Sequence, residues 1–430
     1  MLIVHNYQRI NEFISSNSLW SCIMIALDPI EALANLRHEF GEHGGVNMSI
    51  EASSTFTVVD STTMPEIFAG RKGPETGGCY LYGRHFNPTV YNLGRQLAAL
   101  EGTEAAYCSA SGMGAISAVI LALCNSGDHV VASNTIYGGT WALLNDFMPA
   151  KTGVQTSFVD STDLEAVAAA ITPQTRLLYV ESMSNPTLRI VNIPALSRIA
   201  KDAGIPLVVD NTFAPLVLSP ARLGADIVVH SLTKFIGGAS DLIGGAVCAS
   251  ADFIGSLMDL HIGPLMILGP TMDPTVAASV ALRIPHLPLR MAAHGDRALA
   301  LAQRTAALGV PVSYPGLPEH PDHALFERLR HPDYGYGGLL TIDAGSEAKA
   351  MALMNTLQNE HQFGYVAVSL GYFDTLMSCS ASSTSSEMPE DALATAAISR
   401  GLVRMAVGYT GSLEQRWTQL EAALRSTALA

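Results

Sequence analysis

From about residue 104 to 250, β-branched apolar runs alternate with Ala-rich helical stretches, a rhythm that few folds accept. The strand-like runs are HVVASNT (129–135), RLLYVES (176–182), PLVVDNT (206–212), DIVVHSL (226–232) and LIGGAVCAS (242–250). Strands separated by helices pair in parallel, and a parallel sheet needs cover on both faces. The stretches between them carry helix punctuation. Thr162 and Glu165 have capping-box spacing before LEAVAAAI. Pro194 opens PALSRIAKDAG and Gly204 closes it, and Ser219–Pro220 opens a shorter helix. The fold class predicted is α/β, with a mostly parallel sheet between helices.

After about residue 280 the pattern changes. MAAHGDRALALAQRTAALG reads as a long helix, and YGGLLTIDAG, YVAVSLG and GLVRMAVGYT read as strands. Ser412 and Gln415 cap a last helix, LEQRWTQLEAAL. This describes a smaller α+β C-terminal domain. Residues 41–90 are rich in Gly, Thr and Asn, with little periodicity, and read as an arm supported by something else, such as a neighbouring subunit. The organisation predicted is an extension and arm over 1–80, a large domain over 81–280 and a small domain over 281–430. Residues 1–27 read as a loose extension, and LWSCIMIAL (19–27) is too short to span a bilayer.

The chain of 430 residues is 48% hydrophobic and 14% charged, enough to bury a large core. Its net charge of −14 argues against nucleic-acid and anionic-membrane partners. Six cysteines without CxxC spacing read as reduced thiols of a cytoplasmic protein.

Ligands of open α/β sheets gather at the carboxyl ends of the strands. Three polar clusters fall there: Glu181–Asn185, Asp210–Thr212 and Ser231–Lys234. Each residue type suits pyridoxal phosphate (PLP). Asp210 suits the carboxylate that keeps a pyridine nitrogen protonated. Lys234 suits the desolvated amine that holds a carbonyl cofactor. Ser231 and Thr233 offer hydroxyls to a phosphate, and Gly112–Met113 open a helix whose first amides point outward. Singly, each has a plainer reading: a solvated Lys, a turn Asp, a Ser111 that only caps its helix. Their order at successive strand ends favours the cofactor.

Other motifs weigh less. GMGAIS is a near miss for a dinucleotide fingerprint, with Ser117 where Gly or Ala is wanted and no acid at the right strand end downstream. HEFGEH (38–43) misses the HExxH zinc signature, because Glu42 stands where the second His is needed. Tyr137 fits either a ring stacked on a cofactor or a buried aromatic.

These residues resemble the Cys/Met-metabolism PLP enzymes of fold type I. The resemblance rests on YGRHFNPTVYNLGRQLAALEG, SGMGAISA, YGGTWALL, VVDNTFAP, HSLTKFIGGASD and GLVRMAVGYTG, from about residue 80 to the C-terminus. HEFGEHGGVNMSIEAS and SLGYFDTLMSCSASSTSSE look like its plant-type methionine γ-lyase branch. The resemblance implies a seven-stranded, mostly parallel sheet. It implies that Lys234 bonds the cofactor, Asp210 holds the ring nitrogen, and Tyr137 stacks on the ring and protonates the leaving thiolate. Gly112, Met113, Ser231 and Thr233 would bind the phosphate, joined by Tyr82 and Arg84 from the neighbouring subunit. Arg404, with Ser369 and Asn185, would hold the substrate carboxylate, a task suited to the guanidinium fork. A homo-oligomer follows, at least a dimer, with a tetramer usual for the family. The reaction implied is α,γ-elimination from a sulfur-containing amino acid.

Val368 bears on the substrate. Relatives that handle cystathionine usually carry Glu there, to meet a second ammonium group. Val offers no such partner, so an unpaired charge would be desolvated at a cost. An apolar wall suits the methyl thioether of methionine. The alternatives within the family are a cystathionine γ-synthase or γ-lyase and an O-acylhomoserine sulfhydrylase. Two further departures stand out: Gly139, where microbial methionine γ-lyases carry Cys, and CSAS (379–382), where HPAS is usual. Cys379 reads as a small residue filling a packed wall, with a functional thiol as the alternative.

Overall fold

A computed structural model describes residues 28–36, 41, 43–69, 71–73, 79–379 and 398–430. LWSCIMIAL, most of HEFGEH and the SASSTSS run lie outside the described residues. The first sheet contains β1 (Ala105–Ser109), β2 (His129–Ser133), β3 (Gln155–Val159), β4 (Thr175–Glu181), β5 (Leu207–Asp210), β6 (Ile227–Ser231) and β7 (Gly245–Ala249). Their order is β1-β7-β6-β5-β4-β2-β3. Only β7 runs against its neighbours, so the sheet is mostly parallel, as the βαβ rhythm predicts.

Two-sided burial explains the continuous apolar runs. Leu178, Val180, Leu207, Val209 and Val228 enter the core on one face. Their neighbours Leu177, Tyr179, Val208, Ile227 and Val229 enter the core on the other. This is the period-two alternation of a strand. Each fully buried Val or Leu contributes roughly 1.5–3 kcal/mol.

The second sheet contains β8 (Val312–Ser313), β9 (Leu339–Asp343), β10 (Gly364–Val366), β11 (Thr375–Cys379) and β12 (Leu402–Ala406), ordered β10-β11-β12-β9-β8. It has its own core. The long helix Leu287–Ala307 serves both cores: Leu287 and Met291 join the first, and Ala298, Leu301 and Ala302 join the second. That shared helix couples the two sheets and sets where β10 and β12 stand relative to β6.

Local details differ from expectation at several points. The helix Leu164–Ala170 is capped by Asp163, whose Oδ1 accepts the amides of Glu165 and Ala166. Thr162 is drawn away because its amide and hydroxyl both donate to Asp160. Ser219–Pro220 opens hydrogen-bonded turns rather than a helix. LIGGAVCAS is strand only from Gly245, and YVAVSLG only to Val366, which leaves Val368 and Ser369 in irregular backbone. Among the described residues no helix is long and apolar enough to cross a membrane, and no cluster of His, Cys, Asp and Glu has the makings of a metal site.

Candidate active site

The parallel register puts the carboxyl-end residues side by side. Glu181 pairs with Asp210 across β4 and β5, and Ser231 pairs with Gly245 across β6 and β7. A cavity of about 300 Å³ opens there. Its lining includes Gly112, Met113, Tyr137, Asn185, Asp210, Ser231, Thr233, Lys234, Val368, Ser369 and Arg404, so these predicted site residues converge. Tyr82 and Arg84 do not line it. Arg84 donates to the Met266 carbonyl at 2.8 Å and lies 5.7 Å from the Tyr82 ring, which stays exposed.

Lys234 follows β6 in a turn held by the Lys234 amide on Ser231 O and the Gly238 amide on Lys234 O. Its Nζ donates to Ser369 Oγ at 3.0 Å. Burial, then the Arg404 charge, pulls its amine down to about 8. Ser369 comes within reach because Gly371 (φ +80°) brings backbone against backbone. A Cβ at Gly371 would lie 2.4 Å from the Phe235 amide nitrogen, so no other residue fits. Ser369 itself takes φ +122°, a costly conformation for a residue with a side chain. The strain is held in place by the bonds it makes to Lys234 and Arg404.

Asp210 is buried. It accepts the Thr212 amide at 2.9 Å and the Tyr179 hydroxyl at 3.3 Å. Thr212 in turn accepts the Ser231 amide at 2.8 Å, which ties β5 to β6 beneath the cavity. Burial pushes both Asp210 and Glu181 up, and the Asp210 charge pushes Glu181 further, while the Tyr137 and Asn185 amides and the Arg404 charge favour its carboxylate form. A cation set against Asp210 would relieve this pair, as a protonated pyridine nitrogen does.

The other end of the site is a cradle. Ser111 caps the helix Gly112–Leu123 through the Gly114 amide, so the Gly112 and Met113 amides have no helical partner. A Cβ at Gly112 would sit 2.8 Å from that of Ser231, so Gly keeps helix and strand end close. The Thr233 hydroxyl is engaged with the Gly244 backbone, accepting its amide at 3.1 Å. Amides, hydroxyls and a helix start form a donor set for a phosphate.

Arg404, on β12, is 2% exposed. Nη1 donates to Asn185 Oδ1 at 2.9 Å and Nη2 to Ser369 O at 3.2 Å. Nε, also buried, has no partner among the described residues. Burial pulls the guanidinium down to about 10, with Glu181 and Tyr137 opposing. A buried cation with a donor to spare suits an anionic ligand. Tyr137 is 42% exposed on the cavity wall rather than buried. Gly139 gives its ring room, since a Cβ there would fall 2.6 Å from the ring. Cys379 is 2% exposed in the second core and does not line the cavity.

Sequence reading gave no role to Glu181, although it named the cluster, and none to Tyr179 or Ile243. Glu181 bonds backbone amides, Tyr179 reaches Asp210 from beneath, and Ile243 lines the cavity. A full-width apolar strand hides the second of these in its pattern, and the first has no side-chain partner to pattern against.

The chain is similar to several known proteins. A methionine gamma-lyase of Arabidopsis thaliana is 60% identical over 397 residues, covering 92% of this chain and 90% of that protein. A cystathionine gamma-lyase of Bacillus subtilis is 36% identical, over 79% of this chain and 86% of its own length. Among solved structures, one from Campylobacter jejuni described as an O-acetylhomoserine (thiol)-lyase, with N'-pyridoxyl-lysine-5'-monophosphate, superposes with a TM-score of 0.85. It is 25% identical, and the match covers 93% of this chain and all of that one. The family model for the Cys/Met metabolism PLP-dependent enzymes matches residues 31–424, and the chain belongs to that family.

Proposed function

We propose that the chain is a methionine γ-lyase, converting L-methionine and water to methanethiol, 2-oxobutanoate and ammonia. The observation that carries this reading is the cavity's charge inventory. Among the described residues its only lining carboxylates are Glu181 and Asp210. Both are already bonded, Glu181 to two amides and Asp210 to Thr212 and Tyr179. Val368 and Ile243 line the cavity while staying largely exposed. Among the described lining residues a methyl thioether meets no unpaired carboxylate, and the second ammonium group of cystathionine finds no free one. The high identity to the Arabidopsis methionine gamma-lyase supports the same substrate.

PLP, when bound, supplies an electron sink for charge developing on the substrate's α- and β-carbons. The residues do the rest. Gly112, Met113, Ser231 and Thr233 would hold its phosphate, and Asp210 would hold its ring nitrogen. Lys234 Nζ would hold the cofactor and, as a free amine, would move the substrate's α-proton. Arg404, Asn185 and Ser369 fix the substrate carboxylate. The Tyr137 hydroxyl gives its proton to the departing sulfur.

The test is a methanethiol and 2-oxobutanoate assay across methionine, homocysteine, cystathionine and cysteine, with O-acetylhomoserine plus a thiol as a synthase arm. Methionine is expected to lead in kcat/KM. Val368→Glu should lower kcat/KM for methionine and raise it for cystathionine, shifting their ratio about 10- to 100-fold. Faster turnover of cystathionine by the wild type, or net synthesis from O-acetylhomoserine, would overturn the assignment.

We also propose that the enzyme is a homo-oligomer, at least a dimer and a tetramer by analogy with its family, with Tyr82 and Arg84 serving the neighbouring subunit's phosphate. Val46, Ile50, Val59, Tyr82, Ile262 and Leu268 are exposed large apolar side chains of the kind a subunit interface covers. Light scattering should return a dimer or tetramer. A fully active monomer would sink the idea.

A further inference from the structure

Glu181 ends β4 beside Asp210 and is 6% exposed. Each of its oxygens accepts a backbone amide: Oε1 that of Tyr137 at 2.7 Å, and Oε2 that of Asn185 at 3.2 Å. The two amides belong to segments 48 residues apart. The chain of bonds continues outward. Asn185 Oδ1 takes Arg404 Nη1, Arg404 Nη2 reaches Ser369 O, and Ser369 Oγ takes Lys234 Nζ. Every polar group assigned to the substrate is thus strung on one line that starts at this carboxylate.

The residue type matters. A carboxylate accepts at both oxygens, whereas an amide of the same shape accepts at one and donates at the other. Burying a carboxylate is expensive, and a neutral side chain would serve if only one segment needed anchoring. Two facing N–H donors and the nearby Arg404 charge are what make an acid the fitting choice here. The Tyr137 amide also stands where the chain enters the helix Gly138–Ala142, so its bond fixes the angle at which the ring leaves the backbone.

We propose that Glu181 is a positioning residue. It sets the Tyr137 ring over the cavity and, through Asn185, aims the Arg404 fork. The proposal rests on the roles given above to Tyr137 and Arg404, but not on methionine being the substrate.

Glu181→Gln tests it with shape unchanged. The new NH₂ faces an amide donor, so one of the two anchors is lost. Hydrogen–deuterium exchange on the cofactor-free chain should then quicken at least about 10-fold at the Tyr137 or Asn185 amide. With cofactor content retained, kcat/KM should fall roughly 10- to 100-fold on the wild type's best substrate. If the Gln variant does not fold, Glu181→Asp, too short to reach both amides, carries the same expectations. Exchange and kinetics within twofold of wild type would overturn the proposal. So would a lowered Tm with unchanged kinetics per loaded site, which would make Glu181 merely structural. Failure of the wild type to cleave methionine would remove the substrate assignment and leave the exchange comparison decisive for Glu181.

Discussion

Lys234→Ala is expected to lower kcat by at least about 10³-fold and to leave no covalently held cofactor. The argument starts from the amine's surroundings. Burial and the Arg404 charge pull it down to about 8. At pH 7 about a tenth of such an amine is neutral, against roughly three in ten thousand for an ordinary lysine. Only the neutral form attacks an aldehyde. Cofactor capture by the free chain should therefore quicken as pH rises towards about 8 and level off above it. An unperturbed lysine would still be gaining at pH 10. Borohydride reduction of the loaded wild type, followed by peptide mapping, should put the label on the peptide that holds Lys234. A label on any other lysine would undo the PLP assignment of this site. The Ala variant should keep its fold, since among the described residues Lys234 Nζ makes one side-chain bond, to a Ser369 already held by Arg404.

How much of this was legible beforehand follows from which forces leave a pattern. A buried parallel strand must be apolar on both faces, so β2, β4, β5 and β6 stood out, and their polar ends fixed the crevice. β3 and β1 did not stand out. QTSFV is half-buried and interleaves polar residues, and AAYCS has two alanines where a strand usually branches. β8 is two residues long and owes its place to β9. The Asp163 cap went to the neighbouring Thr162 because both are good caps. Asp160, which captures Thr162, decides between them only in three dimensions.

The site divides in the same way. Lys234, Asp210, Ser231 and Gly112 are set by strand and helix ends, which sequence periodicity locates. Arg404, Ser369 and Val368 come from the second sheet and its loops, more than 130 residues further on. Nothing in local periodicity says that Gly371 will lie on the backbone of Lys234 and Phe235, and only resemblance joined the two halves. Glu181 is the limiting case. It bonds main-chain amides, which every residue has, so no spacing of side chains could announce it.

Arg404 carries the second large effect, and two substitutions separate what its shape does from what its charge does. Arg404→Lys keeps a cation but loses the fork that meets both carboxylate oxygens. The loss expected is on the order of 10²–10³-fold in kcat/KM, about 3–4 kcal/mol, expressed mostly in KM because the carboxylate is held throughout the reaction. Arg404→Ala removes the charge as well. Asn185 Oδ1 then loses its donor, and Lys234 loses the cation that helps to depress its amine. The Lys234 amine should move back up, so the pH at which cofactor capture levels off should rise in the Ala variant and stay near 8 in the Lys variant. A carboxylate-free amine analogue of methionine should bind wild type and the Lys variant alike, because the lost fork never touched it. If that analogue weakened as much as methionine does, Arg404 would be holding the cavity's shape rather than the substrate. Its unpartnered Nε would then be a flaw in the packing rather than a donor reserved for a ligand.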